Sequence, residues 1–201
     1  MSKKQGLFIV FEGIDGSGKT TQIRLLTQNL KEKGIDFEII SFPRYGNNQY
    51  TDQIESYLKG EQSYDPYSIA KAYAGDRLLA KPIIEKWLTN GKLVIANRYT
   101  SSNKAHLGVD LPENKMPKPD LTILLDIDPK VGQENAIKDH KVDIHEASIK
   151  HEEMAARIYL ELSKSEPNWL VIDCMKDGQM KEKQAIHQQI VKILKEKLDL
   201  T

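Results

Sequence analysis

The chain has 201 residues, enough for one domain with a substantial core. Its 29 Lys and Arg residues balance its 29 Asp and Glu residues, so no basic field is present to attract nucleic acid or a membrane surface. The single cysteine, Cys174, excludes an internal disulfide framework and a cysteine-rich metal site, and its apolar neighbours predict a buried position. The first apolar run is too short for a signal peptide or a membrane span. We therefore expect a soluble, cytoplasmic protein.

Apolar runs of strand length alternate with longer helical patterns along the chain. The predicted strands span 7–11, 36–41, 92–96, 121–126 and 169–173, and the predicted helices span 18–33, 50–59, 67–89, 129–138, 146–165 and 180–197. Continuous apolar strands separated by helices are typical of a parallel sheet covered on both faces. The sequence therefore predicts an α/β fold. Ligands bind at the carboxyl edge of such a sheet, where the loops 12–19, 42–48, 97–106 and 126–128 would meet.

The first predicted strand leads into a segment that matches the phosphate-binding loop pattern of glycines, a lysine and a hydroxyl residue. The segment comprises Gly13, Ile14, Asp15, Gly16, Ser17, Gly18, Lys19 and Thr20, and Thr21 follows it. Its glycines let the backbone wrap around phosphate oxygens, and the N–H groups at the helix start face the anion. Lys19 can reach the outer phosphates of ATP, and Thr20 can place its hydroxyl on Mg²⁺. The strand before and the helix after favour this site over an ordinary glycine-rich turn.

Three of the five arginines are predicted at the same edge of the sheet. Arg44 follows the second strand and Arg98 follows the third, while Arg77 lies on the long helix between them, one turn from Tyr73. Because guanidinium groups bind phosphate oxygens in pairs, this set predicts a second phosphate site. Tyr73 could stack on the base that carries this phosphate. The alternative for each residue is a surface ion pair or core packing.

These motifs together resemble those of thymidylate kinases, which phosphorylate dTMP with ATP. The resemblance lies in Phe11 to Gln22, Phe42 to Gly46, Ala72 to Arg77, Asn97 to Tyr99 and Leu124 to Pro129, and it covers nearly the whole chain. It implies a P-loop NTPase-type sheet of five parallel strands flanked by helices, the architecture of nucleoside monophosphate kinases. It also implies one domain over 1–201 with a lid at about 136–146, Mg²⁺ bound with ATP, and a homodimer formed through helices flanking the third strand.

The resemblance further implies roles for individual residues. Asp15 would accept a hydrogen bond from the sugar 3′-hydroxyl, and Arg98 with Arg44 would bind the acceptor phosphate. Tyr73 would stack on thymine, while Arg77 would bind thymine O4 or the nearby phosphate. The other expected acceptor-site residues are Phe42, Pro43, Tyr45, Asn97, Ser102, Asn103, His106, His145 and Glu146. Among these Asn103 would help to select thymine, and His106, His145 and Glu146 would lie near the sugar without an acid–base role.

Two features depart from the family pattern. Asn97 replaces an aspartate near the metal, and an amide cannot supply its negative charge. We therefore expect Mg²⁺ to rely on Thr20, water and substrate oxygens, with Glu12 or Asp15 as a compensating acid. The lid contains no arginine, so its cations for the transferred phosphoryl group are Lys138 and Lys141. The alternative for both lysines is a solvated helix end.

Three other functions stay open from the sequence. A regulatory GTPase would need an Asn-Lys-x-Asp motif, and the segment Asn103 to His106 lacks the acid. A degenerate protein that binds nucleotide without catalysis would fit Asn97 and the arginine-free lid. A kinase for another pyrimidine monophosphate would fit His106, which stands where the family usually has Tyr or Phe.

Overall fold

The computed structural model describes residues 5–113, 115–138 and 149–198. Within these ranges the five main strands are β1 (Phe8–Glu12), β2 (Phe37–Ser41), β3 (Leu93–Asn97), β4 (Leu121–Asp126) and β5 (Trp169–Asp173). The helices are α1 (Lys19–Glu32), α2 (Gln49–Leu58), α3 (Pro66–Thr89), α4 (Ser101–Leu107), α5 (Pro129–Lys138), α6 (Ile149–Ser165) and α7 (Lys183–Leu198). A hairpin of two short strands, β6 (Met175–Lys176) and β7 (Gln179–Met180), precedes α7.

The main strands form one parallel sheet in the order β2-β3-β1-β4-β5, which confirms the predicted fold class. The central strand β1 pairs with β3 in a register that sets Phe11 opposite Asn97. The phosphate loop after β1 and the turn after β3 therefore start at the same level of the sheet. This register brings Arg98 beside the phosphate loop.

Both faces of the three central strands β1, β3 and β4 are buried, which explains why these strands are continuously apolar. Along β1, Ile9 and Phe11 belong to one core cluster, while Phe8 and Val10 belong to the cluster on the opposite face. The first cluster includes residues of α1, α6 and α7, and the second includes residues of α3. Cys174 lies in the first cluster, and burial raises the pKa of its thiol to about 12. This confirms the predicted buried position of the cysteine.

Two predicted boundaries are wrong. The sequence predicts a loop over 97–106, but α4 begins at Ser101. This helix is missed in the sequence because its seven residues are too few to show an apolar period. The last helix is predicted over 180–197, yet it begins at Lys183, because Met180 pairs with Met175 in the hairpin. Elsewhere the predicted ends agree with the observed ones to within a residue, except at the start of α6, where 146–148 lie outside the described residues. No helix in the described ranges combines the length and the apolar character that crossing a membrane requires.

Candidate nucleotide-binding site

The phosphate loop packs backbone to backbone against α5. Gly16 has a backbone φ of +71°, in the left-handed region that residues with a side chain rarely adopt. A Cβ atom at this position would lie 2.0 Å from the carbonyl oxygen of Gly132 in α5. Position 16 therefore has no room for a side chain unless the loop or α5 shifts.

Lys19 at the start of α1 folds back onto the loop. Its Nζ donates to the carbonyl oxygens of Gly13 at 2.9 Å and of Ile14 at 2.8 Å. Burial, together with the positive charge of Arg98, lowers the pKa of Lys19 to about 7. A phosphate oxygen that enters the loop would replace these carbonyl partners and favour the charged ammonium.

A cavity of about 480 Å³ opens beside the loop. Its lining includes the loop and the start of α1, and also Asn97 and Arg98 after β3, which the fold brings to the same edge. Lys138 at the end of α5, one of the two expected lid cations, lines it. Lys181, beside the hairpin, and Lys183, at the start of α7, also line it, and no sequence motif indicated either residue. The cavity thus joins the predicted donor loop to a predicted acceptor arginine.

Arg98 is the centre of the polar contacts in this region. Its Nη2 pairs with the carboxylate of Asp15, and its Nη1 donates to Nε2 of His106 at 2.7 Å and to the hydroxyl of Tyr159 at 3.3 Å. Burial alone would raise the pKa of Asp15, but the charges of Arg98 and Lys19 hold it well below its ordinary value. Burial, and then the charge of Arg98, hold the pKa of His106 well below its ordinary value. The acid is therefore ionised and the imidazole is neutral at physiological pH.

Two residues that line the cavity, Thr20 and Asn97, carry oxygen atoms of the kind that bind magnesium. Asn97 Oδ1 is buried without a hydrogen-bond partner among the described residues, although Asn97 lines the cavity. Thr20 lines the same cavity and is exposed. Mg²⁺ takes oxygen ligands and keeps several waters, so a neutral amide oxygen and a hydroxyl suit it. Glu12 does not act as the compensating acid suggested above, because protein donors occupy both of its oxygens.

Arg44 is held by a buried acid on α3. Its Nε donates to Asp76 Oδ1 at 2.9 Å, its Nη2 donates to the carbonyl oxygen of Asp76 at 3.0 Å, and its main-chain N–H donates to Asp76 Oδ2 at 2.9 Å. Asn48 Nδ2 also donates to this carboxylate, at 2.8 Å. The loop that contains Phe42, Pro43 and Tyr45 is therefore fixed against α3, with Phe42 buried and Tyr45 exposed.

Arg77 forms a buried ion pair instead of an open phosphate contact. Its side chain is 1% exposed, and its Nε and Nη2 donate to the two carboxylate oxygens of Glu113 at 2.8 and 2.6 Å. The sequence raised a surface ion pair as the alternative for this arginine, but the pair found here is buried. Glu113 was missed because it lies in an irregular segment after α4 with no motif around it.

The two residues expected to contact the base, Tyr73 and Asn103, lie on α3 and α4. Tyr73 is half-buried and packs against the small cluster formed by Ile54, Ile69 and Ala72. Asn103 is buried, and its Nδ2 donates to the carbonyl oxygen of Ala70 at 2.9 Å. Its amide group therefore joins α4 to α3. The predicted site residues Lys141, His145 and Glu146, with most of the predicted lid, lie outside the described residues.

Glu152 on α6 is a site residue that the sequence did not indicate. Its Oε2 accepts from the main-chain N–H of Asp15 at 3.2 Å, and burial raises its pKa to about 7. One ring nitrogen each from His106 and His151 lies within 4.8 Å of this carboxylate, an arrangement that resembles a metal site. The guanidinium of Arg98 contacts His106, however, and its charge opposes a second cation there.

A family model described as "Thymidylate kinase" matches residues 11–190. The chain belongs to the thymidylate kinase family. A thymidylate kinase from Vibrio vulnificus is 32% identical over 187 residues, covering 85% of this chain and 88% of its own length. Another from Fervidobacterium nodosum is 29% identical over 200 residues, covering 93% of this chain and 98% of its own. The resemblance inferred from the motifs is confirmed.

A solved structure of thymidylate kinase from Candida albicans superposes with a TM-score of 0.77. It is 21% identical in sequence and covers 96% of this chain and 92% of its own. At this identity the likeness supports the fold, and it agrees with the sheet order described above. The predicted P-loop architecture of a nucleoside monophosphate kinase is therefore confirmed.

Proposed function

We propose that this chain transfers the γ-phosphoryl group of ATP to the 5′-phosphate of dTMP. The observation that carries the proposal is the single cavity that joins the phosphate loop to Arg98. A cavity with an anion cradle on one side and a guanidinium on the other suits two phosphates that meet end to end. The family of the chain supports dTMP as the acceptor.

On the donor side, the loop amides and Lys19 bind the β- and γ-phosphates of ATP. Thr20 and Asn97 hold Mg²⁺, which neutralises charge on the phosphate oxygens when it is bound. Position 16 has no room for an arginine, so Lys138 and Lys141 supply the remaining positive charge. Exclusion of water from the cavity protects ATP from hydrolysis.

On the acceptor side, Arg98 exchanges its partner Asp15 for the 5′-phosphate of dTMP. Asp15 is then available to the sugar 3′-hydroxyl. Asp76 occupies Nε and Nη2 of Arg44, and we assign Nη1 of Arg44 to the same phosphate. Because the acceptor is already an anion, the reaction needs alignment and charge neutralisation rather than a strong general base.

The thymine base lies between α3 and α4 in this proposal. Tyr73 stacks on the ring, and Asn103 helps to select it. Glu113 occupies Nε and Nη2 of Arg77, and we assign the remaining guanidinium nitrogen, Nη1, to thymine O4. Phe42, Pro43, Tyr45, Ser102, His106, His145 and Glu146 complete the acceptor site. We also propose that the protein is cytoplasmic and forms a homodimer. The exposure of Leu78 and Leu79 on α3, beside β3, supports the dimer.

The direct test measures ADP release with Mg-ATP and a panel of monophosphates that includes dTMP, dUMP, dCMP and UMP. We expect release that depends on dTMP and exceeds that with the other acceptors. A preference for a different pyrimidine monophosphate would reassign the acceptor. ATP binding without ADP release for any acceptor would contradict the proposal.

The variant Arg98→Ala tests the acceptor side separately. We expect the Kd of dTMP to rise about 100-fold, because a charged hydrogen-bonding partner is lost, while the Kd of ATP changes far less. Equal losses for both nucleotides would contradict the assignment of Arg98.

A further inference from the structure

Glu12 is a buried acid at the end of β1, directly before the phosphate loop. Its side chain is 0% exposed, and a buried carboxylate is costly unless its oxygens accept hydrogen bonds. Oε1 accepts from the main-chain N–H of Tyr99 at 2.9 Å. Oε2 accepts from the hydroxyls of Ser102 at 3.0 Å and Tyr159 at 2.9 Å. One side chain thus connects β1 to the turn after β3, to α4 and to α6.

These contacts hold the backbone of Arg98 on both sides. The N–H of Arg98 donates to the carbonyl oxygen of Phe11 at 2.9 Å, and the next N–H, that of Tyr99, donates to Glu12. Two successive amides of the turn are therefore bonded to two successive residues of β1. Arg98 has a φ of +65°, which is unfavourable for a residue with a side chain. The paired hydrogen bonds offset this cost and keep the turn in place.

Glu12 also supports the side chain of Arg98 through Tyr159. The Tyr159 hydroxyl donates to Glu12 and accepts from Nη1 of Arg98 at 3.3 Å. Glu12 lies behind the cavity, whose lining includes Arg98. Glu12 can therefore act on a bound phosphate through the position of Arg98, beside the direct effect of its negative charge on Lys19.

We propose that Glu12 is a positioning residue that sets the location of Arg98 relative to the phosphate loop. The proposal rests on the proposed function, in which Arg98 binds the acceptor phosphate and the loop binds the donor. Phosphoryl transfer needs the two phosphates in line, and a misplacement of about 1 Å can cost about 100-fold in rate. Weakening the hydrogen bonds of Glu12 would change the alignment of the two phosphates, while every group that binds phosphate would still be present.

The kinetic test uses Glu12→Gln, which keeps the size of the side chain but replaces one acceptor oxygen with a donor. We expect kcat to fall at least about tenfold through misalignment, while the Kd of ATP measured without acceptor stays within about twofold of the wild-type value. Tyr159→Phe removes one hydroxyl from the hydrogen bonds that connect Glu12 to Arg98. The factors by which the two variants lower kcat should therefore not multiply in the double variant. Tyr67→Phe, which removes a hydroxyl from an exposed tyrosine on α3, serves as the matched control.

Three kinetic outcomes would overturn the proposal. One is an unchanged kcat in Glu12→Gln. Another is a loss of kcat in the double variant that equals the product of the losses in the two single variants. The third is an equal weakening of ATP and dTMP binding, which would indicate general damage to the fold. If Glu12→Gln does not fold, Tyr159→Phe alone still decides, because it should lower kcat without changing the Kd of ATP.

A second measurement is independent of activity. Hydrogen exchange of the Tyr99 amide, followed by NMR without nucleotide, should become faster in Glu12→Gln, while that of Ile95 within β3 stays unchanged. Unchanged exchange at Tyr99 overturns the positioning role. Failure of the proposed function would appear differently, as a wild-type protein that transfers phosphate to no acceptor while Tyr99 still responds to the substitution.

Discussion

Gly16 and Gly132 touch through their backbones, and this contact joins the phosphate loop to α5. A Cβ on Gly16 would meet the Gly132 carbonyl oxygen at 2.0 Å, and a Cβ on Gly132 would meet the Asp15 carbonyl oxygen at 2.7 Å. Because α5 ends at Lys138, within the predicted lid, the contact joins the phosphate loop to the helix that carries the start of this segment. The two glycines therefore matter as a pair, although only Gly16 belongs to the loop motif.

Replacing Gly132 with alanine sets two effects against each other. Alanine favours the interior of a helix by about 1 kcal/mol over glycine, but its Cβ would push Asp15 and the loop away from α5. We expect the Kd of ATP to rise about tenfold, which corresponds to about 1.4 kcal/mol. We also expect this contact to reduce or reverse the gain in folding stability that alanine brings to the helix. Calorimetric titration and thermal unfolding measure the two quantities. Glu134→Ala on the exposed face of α5 is the control, and equal ATP affinity in both variants would contradict the expectation.

Lys19 should bind a proton when ATP binds. Its pKa is lowered to about 7 in the free protein, so at pH 8 most molecules hold a neutral amine. The phosphates of ATP favour the ammonium, which raises this pKa in the complex. Binding of Mg-ATP should therefore take up about 0.9 proton at pH 8 and about 0.1 at pH 6, where Lys19 is already charged.

Calorimetry in two buffers with different ionisation enthalpies measures this uptake. The binding heat should depend on the buffer at pH 8 and hardly at pH 6. In Lys19→Met the buffer dependence at pH 8 should disappear, even if binding is weaker. A dependence that persists in this variant would show that a different group takes up the proton.

The phosphate loop was predictable from sequence because its chemistry is local. Strand, glycines, Lys19 and helix follow one another within a short segment, so their spacing alone defines the geometry. The partners of the arginines were not predictable, since Arg77 meets Glu113 and Arg98 meets Tyr159 only after the chain folds. Sequence placed these arginines at the correct edge of the sheet. It could not show that Arg77 is already paired there.

Glu152 illustrates the same limit for electrostatics. On the sequence it is one acid in a charged helix, next to the exposed Glu153. Its burial under Asp15 and its raised pKa follow from the packing of α6 against the site. The helical pattern predicted α6 well over its described part, but the choice of which acid faces inward depends on the neighbouring elements.

Glu152 should make the stability of the protein fall with rising pH. Its pKa is about 7 in the folded protein and 4.5 in the reference state, so the folded state binds the proton more tightly. The free energy of unfolding therefore decreases between pH 4.5 and 7 and stays lower above pH 7, by about 3 kcal/mol in total from this group. Glu152→Gln removes this dependence and keeps an oxygen for the Asp15 amide.

Urea unfolding at pH 5 and pH 8 tests this expectation. Glu152→Gln should be more stable than the wild type at pH 8, and the difference should shrink at pH 5. Glu153→Gln on the exposed face of α6 is the matched control and should behave like the wild type at both values. A variant at position 152 that is equally destabilised at both pH values would contradict the raised pKa.

Asn97 should limit the affinity for magnesium. Its side-chain oxygen is buried, lacks a partner in the described part of the chain and lies on a residue that lines the cavity. Asn97→Asp would place a negative charge at this point with almost no change of shape, so the Kd of the divalent ion in the ADP complex should fall about tenfold. Titration of Mn²⁺ followed by electron paramagnetic resonance measures this value without requiring turnover. Asn135→Asp adds the same charge at another residue of the cavity lining, on α5. If both variants raised the affinity equally, the gain would come from net charge in the cavity and not from a ligand at position 97.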